Sequence, residues 1–188
     1  MKSLIASLIL TLGVALGSSA QEMGMKSDGN PMVGGAAMYK TKNIVENAVN
    51  SKDHTTLVAA VKAAGLVDTL MSPGPFTVFA PTDAAFAKLP EGTVATLVKP
   101  ENKATLTTIL TYHVVSGNMD SKAIAKAIKS GKGKAELTTV SGGKLWASMD
   151  GKNLILTDEK GGKSMVTIAD VRQSNGVIHV TDTVSLPN

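Results

Sequence analysis

An α+β domain, with helices gathered in its first half and antiparallel strands in its second, is predicted by three observations. Apolar residues recur at helical spacing between Asn43 and Gly131 and alternate with period two after Gly133. No strand-helix rhythm repeats, as it would in a doubly wound sheet. At 188 residues the chain suffices for one domain with a short appendage and falls short of two cores.

Met1 to Ala20 carry one early charge, Lys2, then an apolar stretch from Leu4 to about Leu16, then Ser18-Ser19-Ala20 before Gln21. That is the layout of a secretory signal peptide, so cleavage near Ala20 and a secreted or periplasmic protein are expected. The apolar stretch falls short of the roughly 20 residues that span hydrocarbon, and no later segment is apolar enough, so no transmembrane segment is expected. Residues 21–38 are rich in Gly, Met and small polar residues without either period, which predicts a flexible arm. Met23, Met25, Met32 and Met38 are soft ligands of the kind that suits Cu(I), but no His or Cys accompanies them, and an unstructured linker accounts for them better.

The domain itself is expected over residues 39–187. Ile44-Val45-Ala48-Val49 and Leu57-Val58-Val61-Ala64 each make an apolar helix face, with Gly65 placed to end the second helix. Phe76 to Phe79 is a strand, entered from Ser72-Pro73-Gly74-Pro75 and left at Pro81. Thr93 can cap a short helix through Val98, and Pro100 can open the next, whose core face is Leu106, Ile109 and Leu110. Tyr112-His113 reads as part of a short β-prone run, and Asp120 or Ser121 caps a last helix. Turn signals at Ser141-Gly142-Gly143, Asp150-Gly151 and Gly161-Gly162 then separate an antiparallel meander. Its strands are Ala135–Val140, Lys144–Met149, Asn153–Thr157, Ser164–Ala169 and Val177–Val184.

Composition narrows the chemistry. The absence of cysteine excludes disulfides, thiolate metal sites, thiol nucleophiles and lipid-modified cysteine. Ser, His and Asp occur without a Gly-x-Ser-x-Gly elbow, and the S-x-x-K string at Ser141-Gly142-Gly143-Lys144 lies in a hairpin turn. No phosphate loop, dinucleotide fingerprint or calcium loop is present, and His54, His113 and His179 lack metal-ligand spacing. No enzyme activity, cofactor or metal is therefore expected, and His113 and His179 are read as structural. Lys122, Lys126 and Lys129 fall on one helix face opposite Ile124 and Ile128, with Lys132 and Lys134 following. This ridge is either the solvated side of an amphipathic helix or a surface for an acidic glycan, lipid headgroups or an acidic protein. Nucleic acid is not expected, because no aromatic residue interleaves the lysines for base stacking.

Thr77-Val78-Phe79-Ala80-Pro81-Thr82-Asp83-Ala84-Ala85-Phe86 closely resembles the first signature of fasciclin domains. Asn175-Gly176-Val177-Ile178-His179-Val180-Thr181-Asp182-Thr183-Val184 resembles the second, and Tyr112-His113-Val114-Val115 the Tyr-His segment between them. The resemblance implies a β-wedge or sandwich of antiparallel strands with several helices packed on it. It also implies a secreted module for cell adhesion or matrix binding, with a cell-surface protein, matrix protein or acidic glycan as partner. Animal relatives engage integrins through the Tyr-His segment and an Asp-Ile element, which is altered here to Asp170-Val171. Integrin binding is therefore not carried over. Tyr112, His113, Asp170 and Val171, with Lys122, Lys126 and Lys129, are the candidate partner-binding residues. Thr77, Phe79, Pro81, Thr82, Asp83, Phe86, Gly176, His179 and Asp182 are read as structural, with Thr82 or Asp83 capping the helix that carries Phe86. The alternatives are a periplasmic small-molecule or copper-binding protein, or an enzyme with a pocket near His113 or His179.

Overall fold

The computed structural model describes residues 29–188, so the expected signal peptide and the arm as far as Asp28 lie outside it. From Gly29 onward the flexible-arm expectation does not hold. Strands β1 (Met32–Val33) and β2 (Ala36–Ala37) pair across Gly34-Gly35, both at positive φ. Val33 and Met38 are buried against the helices. Gly34 has a further reason to be glycine: a Cβ there would lie 2.4 Å from Ser51 Oγ. The hairpin thus sits flush on the domain, and Lys52 N–H donates to its Gly34 carbonyl at 3.0 Å.

The helices follow the apolar spacing. Helix α1 (Ile44–Ala48) opens with a capping box in which Asn43 accepts from Glu46 N–H and Glu46 accepts from Asn43 N–H. Helix α2 (Thr55–Ala64) ends at Gly65, whose φ of 73° terminates it in the left-handed region. Helix α3 (Val67–Met71) is too short to show a period and was not expected. Helix α4 (Asp83–Phe86) follows strand β3 (Phe76–Pro81), and α5 (Thr93–Leu97) starts after Gly92, so Thr93 is its first residue rather than its cap. Helix α6 (Lys103–Tyr112) runs through the Tyr-His segment and leaves His113 as its C-cap, before β4 (Val114–Ser116). The β-prone reading of Tyr112-His113 is corrected: the helix continues to Tyr112, with Leu106 and Leu110 packed in the helix-side cluster and Tyr112 turned the other way, into the cluster around Phe79. Helix α7 (Ser121–Ser130) completes the first half.

The meander is β5 (Lys134–Thr138), β6 (Lys144–Asp150), β7 (Asn153–Thr157), β8 (Lys163–Gln173) and β9 (Gly176–Thr181). All seven longer strands join one sheet in the order β4-β3-β9-β8-β7-β6-β5. Its antiparallel expectation holds except between the second and third strands of that order, where β3 and β9 run parallel, Phe76 opposite Gly176 and Phe79 opposite His179. Both strands are buried along nearly their whole length, as expected of a pair covered on both faces. Strand β8 is longer than its alternation indicated. Its beginning pairs with β7 and its end with β9, with register shifts between Val166 and Val171. At the far end an isolated bridge from Val115 to Thr139 ties the two outermost strands together, folding the sheet on itself.

Alternation along β3 divides the interior in two. Val78 and Ala80, with Ile178 and Val180 of β9, face α1, α2, α3 and α6 in one cluster. Phe79 faces the other way, into a cluster with Tyr112, Ile124, Ile128, Leu145 and Leu156 inside the folded sheet. A small third cluster joins Ala85 and Phe86 of α4 to Val184.

Candidate interaction surface

The two signature segments, far apart in sequence, are neighbouring strands, and their polar side chains hold backbone. The Thr77 hydroxyl donates to the Gly117 carbonyl at 2.7 Å and accepts from Met119 N–H at 2.8 Å, fixing the loop that leads to α7. Thr82 is the N-cap of α4, accepting from Ala85 N–H at 3.2 Å. Asp83 does not cap that helix. Its carboxylate crosses to the start of α2, where it accepts from Thr55 Oγ1 at 2.6 Å and from Thr56 N–H at 2.8 Å. Partial burial works to raise the Asp83 pKa, but these hydrogen bonds from Thr55 and Thr56 outweigh it and hold the carboxyl below its ordinary value. Pro81 is buried at the end of β3, where it turns the chain toward α4. Asp182 accepts from Met165 N–H at 2.8 Å and pairs with Lys88 at 3.3 Å, so it ties β8 to the chain after β9 and to α4's exit.

His179 is fully buried and stacks on Phe79 with ring centroids 5.6 Å apart. Its Nε2 lies 2.9 Å from the Met119 carbonyl, which requires an Nε2–H donor, and its Nδ1 accepts from Asp170 N–H at 3.4 Å. His113 is bonded through both nitrogens with the opposite tautomer. Nδ1 donates to the Ile109 carbonyl at 2.8 Å, and Nε2 accepts from Ser185 N–H at 3.0 Å. Burial pushes both imidazoles below their ordinary pKa, so both rings are held neutral.

The Tyr-His surface is not a surface. Tyr112 is wholly buried, its hydroxyl donating to the Lys144 carbonyl at 2.5 Å and accepting from Glu159 N–H at 3.1 Å. Burial pushes its phenol up to about 12. His113 is 3% exposed, and Val171 lies in the helix-side core at 0%. None of these three can meet a partner without unfolding, since each lies on the inward face of its element. Asp170 is half-exposed with φ of 61°, and its carboxylate accepts from the backbone N–H of Ser121 at 2.6 Å and from the Ser121 hydroxyl. It is thus a second cap on α7 beside Asp120, which accepts from Ala123 N–H at 2.9 Å and pairs with Arg172 at 2.7 Å.

Of the candidate partner-binding residues, only Lys122, Lys126 and Lys129 stand out in solvent. Ile124 and Ile128 anchor the opposite face of α7, and none of the three lysines forms an ion pair among the described residues. Beyond the helix, Lys134 reaches over the half-buried Trp146 ring, 4.7 Å from its centroid. A row of unpaired cations on a helix fixed at its start by two carboxylates is what the site presents.

A family model of the fasciclin domain matches residues 52–187. The chain belongs to the fasciclin family. Over 178 residues it is 46% identical to Protein sll1483 of Synechocystis sp., covering 93% of this chain and 91% of that one. It is 38% identical over 131 residues to transforming growth factor-beta-induced protein ig-h3 of Sus scrofa, covering 70% of this chain but 17% of that protein. Among solved structures, the FAS1 domain pair of the insect cell adhesion molecule fasciclin I matches with a TM-score of 0.69 at 19% identity, covering 77% of this chain and 51% of that one.

Two features of this fasciclin domain had no pattern to reveal them. Asn175 is buried in the turn before β9, where its amide donates to the Leu70 and Ser72 carbonyls, each at 2.8 Å, and accepts from Ile44 N–H at 3.0 Å. One side chain therefore joins α1 and the end of α3 to the start of β9. His54 is buried just before α2, its Nδ1 2.9 Å from Ser51 Oγ, and it borders a cavity beneath α1 to α3. Neither is visible in sequence, because each depends on contacts between segments distant along the chain.

Proposed function

We propose that this fasciclin domain is a non-enzymatic attachment module of an exported protein, and that it holds an acidic partner through the lysine row of α7. The carrying observation is that row: Lys122, Lys126 and Lys129 project from one face of a helix and form no ion pair among the described residues. Residues at this spacing are neighbours on the helix surface, so their fields add toward a single ligand. Family membership and the likeness to a cell adhesion molecule support attachment as the class of function. The engagement of His113, His179, Asp83, Asp170 and Asp182 in holding backbone supports binding over turnover.

The partner class that fits is an acidic glycan or an acidic surface protein. With aromatics at 3% of the chain, strong apolar hot spots are scarce, and charge has to carry more of the contact. Such contact weakens with salt, because exposed charges are screened over about 8 Å at physiological ionic strength. Alginate, an acidic polysaccharide, serves as the probe. Binding should fall as salt rises, and replacing Lys122, Lys126 and Lys129 together with Gln should weaken it while leaving the circular dichroism spectrum unchanged. A folded triple variant that binds alginate as wild type does, at low and high salt alike, would remove the lysine row from the reading.

A further inference from the structure

We infer that Asn175-Gly176 is a chemical modification site that folding closes: in an unfolded chain the pair deamidates without an enzyme, and the product can no longer fold. This inference is independent of the lysine row, which lies on α7. Of the asparagines in the sequence, only Asn175 is followed by glycine. Glycine is the neighbour that lets this reaction run fastest, because it puts no side chain in the way of ring closure. A base takes the Gly176 amide proton, the nitrogen attacks Cγ of Asn175, and ammonia departs, leaving a five-membered imide. Water then opens the imide at either carbonyl, giving aspartate or isoaspartate.

The fold requires both residues. Asn175 is 5% exposed, and its amide donates to the Leu70 and Ser72 carbonyls and accepts from Ile44 N–H. Only a primary amide offers two protons and an acceptor on so short a stem. At Gly176 a Cβ would lie 2.1 Å from the Phe76 carbonyl oxygen and 2.9 Å from its carbon, so the close approach of β3 excludes any side chain. The pair is therefore dictated by the fold in spite of its reactivity. The same contacts protect it. The Asn175 amide is held toward α1 and α3, and the Asn175 carbonyl accepts from Phe76 N–H at 3.0 Å, so neither side chain nor backbone is free to turn into the ring. Gly176 is itself buried in the pairing with β3, away from base and water. Reaction before folding removes what the fold needs. Aspartate keeps an acceptor for Ile44 N–H but replaces both donated protons with a charged oxygen facing two carbonyls in a buried site. Isoaspartate lengthens the backbone by one carbon, which displaces Gly176 from its place opposite Phe76 and Gln173.

The test incubates the protein from Gln21 onward in mildly alkaline buffer, with and without guanidinium chloride, and follows each asparagine by peptide mass spectrometry. The unfolded chain should deamidate first at Asn175. In the folded protein the reaction should be slower by about 100-fold or more, because it waits on an opening that a native protein rarely populates. The denaturant is then removed, and folded and unfolded chains are separated by size-exclusion chromatography. Chains deamidated at Asn175 should be depleted at least about 10-fold from the folded fraction, the effect of one buried carbonyl left unpaired. Asn175→Asp, made directly, should partition in the same way; if it cannot be recovered, the partition of wild-type chains within one refolded sample decides. Another asparagine reacting first in the denaturant, or equal rates with and without it, would overturn the assignment. So would deamidated chains that refold in proportion to their abundance.

Discussion

Asp83 and Asp170 each reach across the fold to the N-terminus of a helix that is not their own, α2 for the first and α7 for the second. Both satisfy amide protons that a helix start leaves orphaned, and both place negative charge at the positive end of a helix dipole. Asp83→Ala should therefore cost about 1 kcal/mol, measured by urea unfolding, while Thr82→Ala should cost a similar amount through α4 instead. The Asp83 carboxyl titrates below its ordinary value in the fold. Its contribution is thus present above about pH 4 and lost as pH falls through that value toward the folded pKa, so Asp83→Asn should flatten the acid limb of a pH-stability curve. The histidines act in a higher window. Burial lowers the pKa of His54, His113 and His179. Below about pH 6.5 the unfolded chain takes up protons that the fold refuses, and stability declines as pH drops. The thermal midpoint should already fall between pH 7 and pH 5. His113→Phe should lower it at pH 7 by leaving Ser185 N–H and the Ile109 carbonyl unpaired, about 1 to 3 kcal/mol, and should make the fall with pH shallower. The residue types at these positions were legible, Asp83 as a helix cap, His113 and His179 as structural, and His113 and Asp170 also as candidates for partner binding. Their partners were not, since a carboxylate's target 28 residues away leaves no local pattern.

At the scale of elements, legibility followed periodicity. Helix α7 alternates Ile124 and Ile128 with lysines so regularly that its buried and solvated faces could be read directly, and β7 was bounded as Asn153–Thr157 from its turns. Where the signal was short or the pattern broke, the reading failed. Helix α3 spans five residues, and β1 and β2 two each. Strand β8 loses its alternation where Asp170 leaves the extended region to cap α7. The candidate site divides along the same line. The lysine row was visible as a helix face, whereas the buried state of Tyr112 and Val171 depends on which side of α6 and β8 the core lies. The β3–β9 pairing gives two tests of element packing. Phe79→Ala should cost about 3 to 5 kcal/mol, because its ring is fully buried between His179 and the folded sheet. Gly176→Ala should be at least as severe as an overpacked core methyl, about 3 kcal/mol. Its added carbon would sit 2.1 Å from the Phe76 carbonyl oxygen and push β3 and β9 apart. Both are checked by denaturant midpoints with the slope monitored for loss of two-state behaviour.

Across the whole molecule, the strand formed last in the chain is the partner of the strand formed first among the seven, and it lies between that strand and the rest of the meander. Until Gly176 to Thr181 are in place, β3 has only the three residues of β4 beside it, and the helix-side cluster lacks Ile178 and Val180. Pairings this remote are slow to form, because the loop they close must be ordered before any contact repays it. A chain ending at Gln173 should accordingly show no cooperative thermal transition. The same dependence sets a timetable. A chain emerging from the ribosome stays unable to complete its core until Gly176 to Thr181 arrive. Before then Val78 and Ala80 lack Ile178 and Val180 beside them, and the helix-side cluster cannot close. The delay is written into where the closing strand lies along the chain.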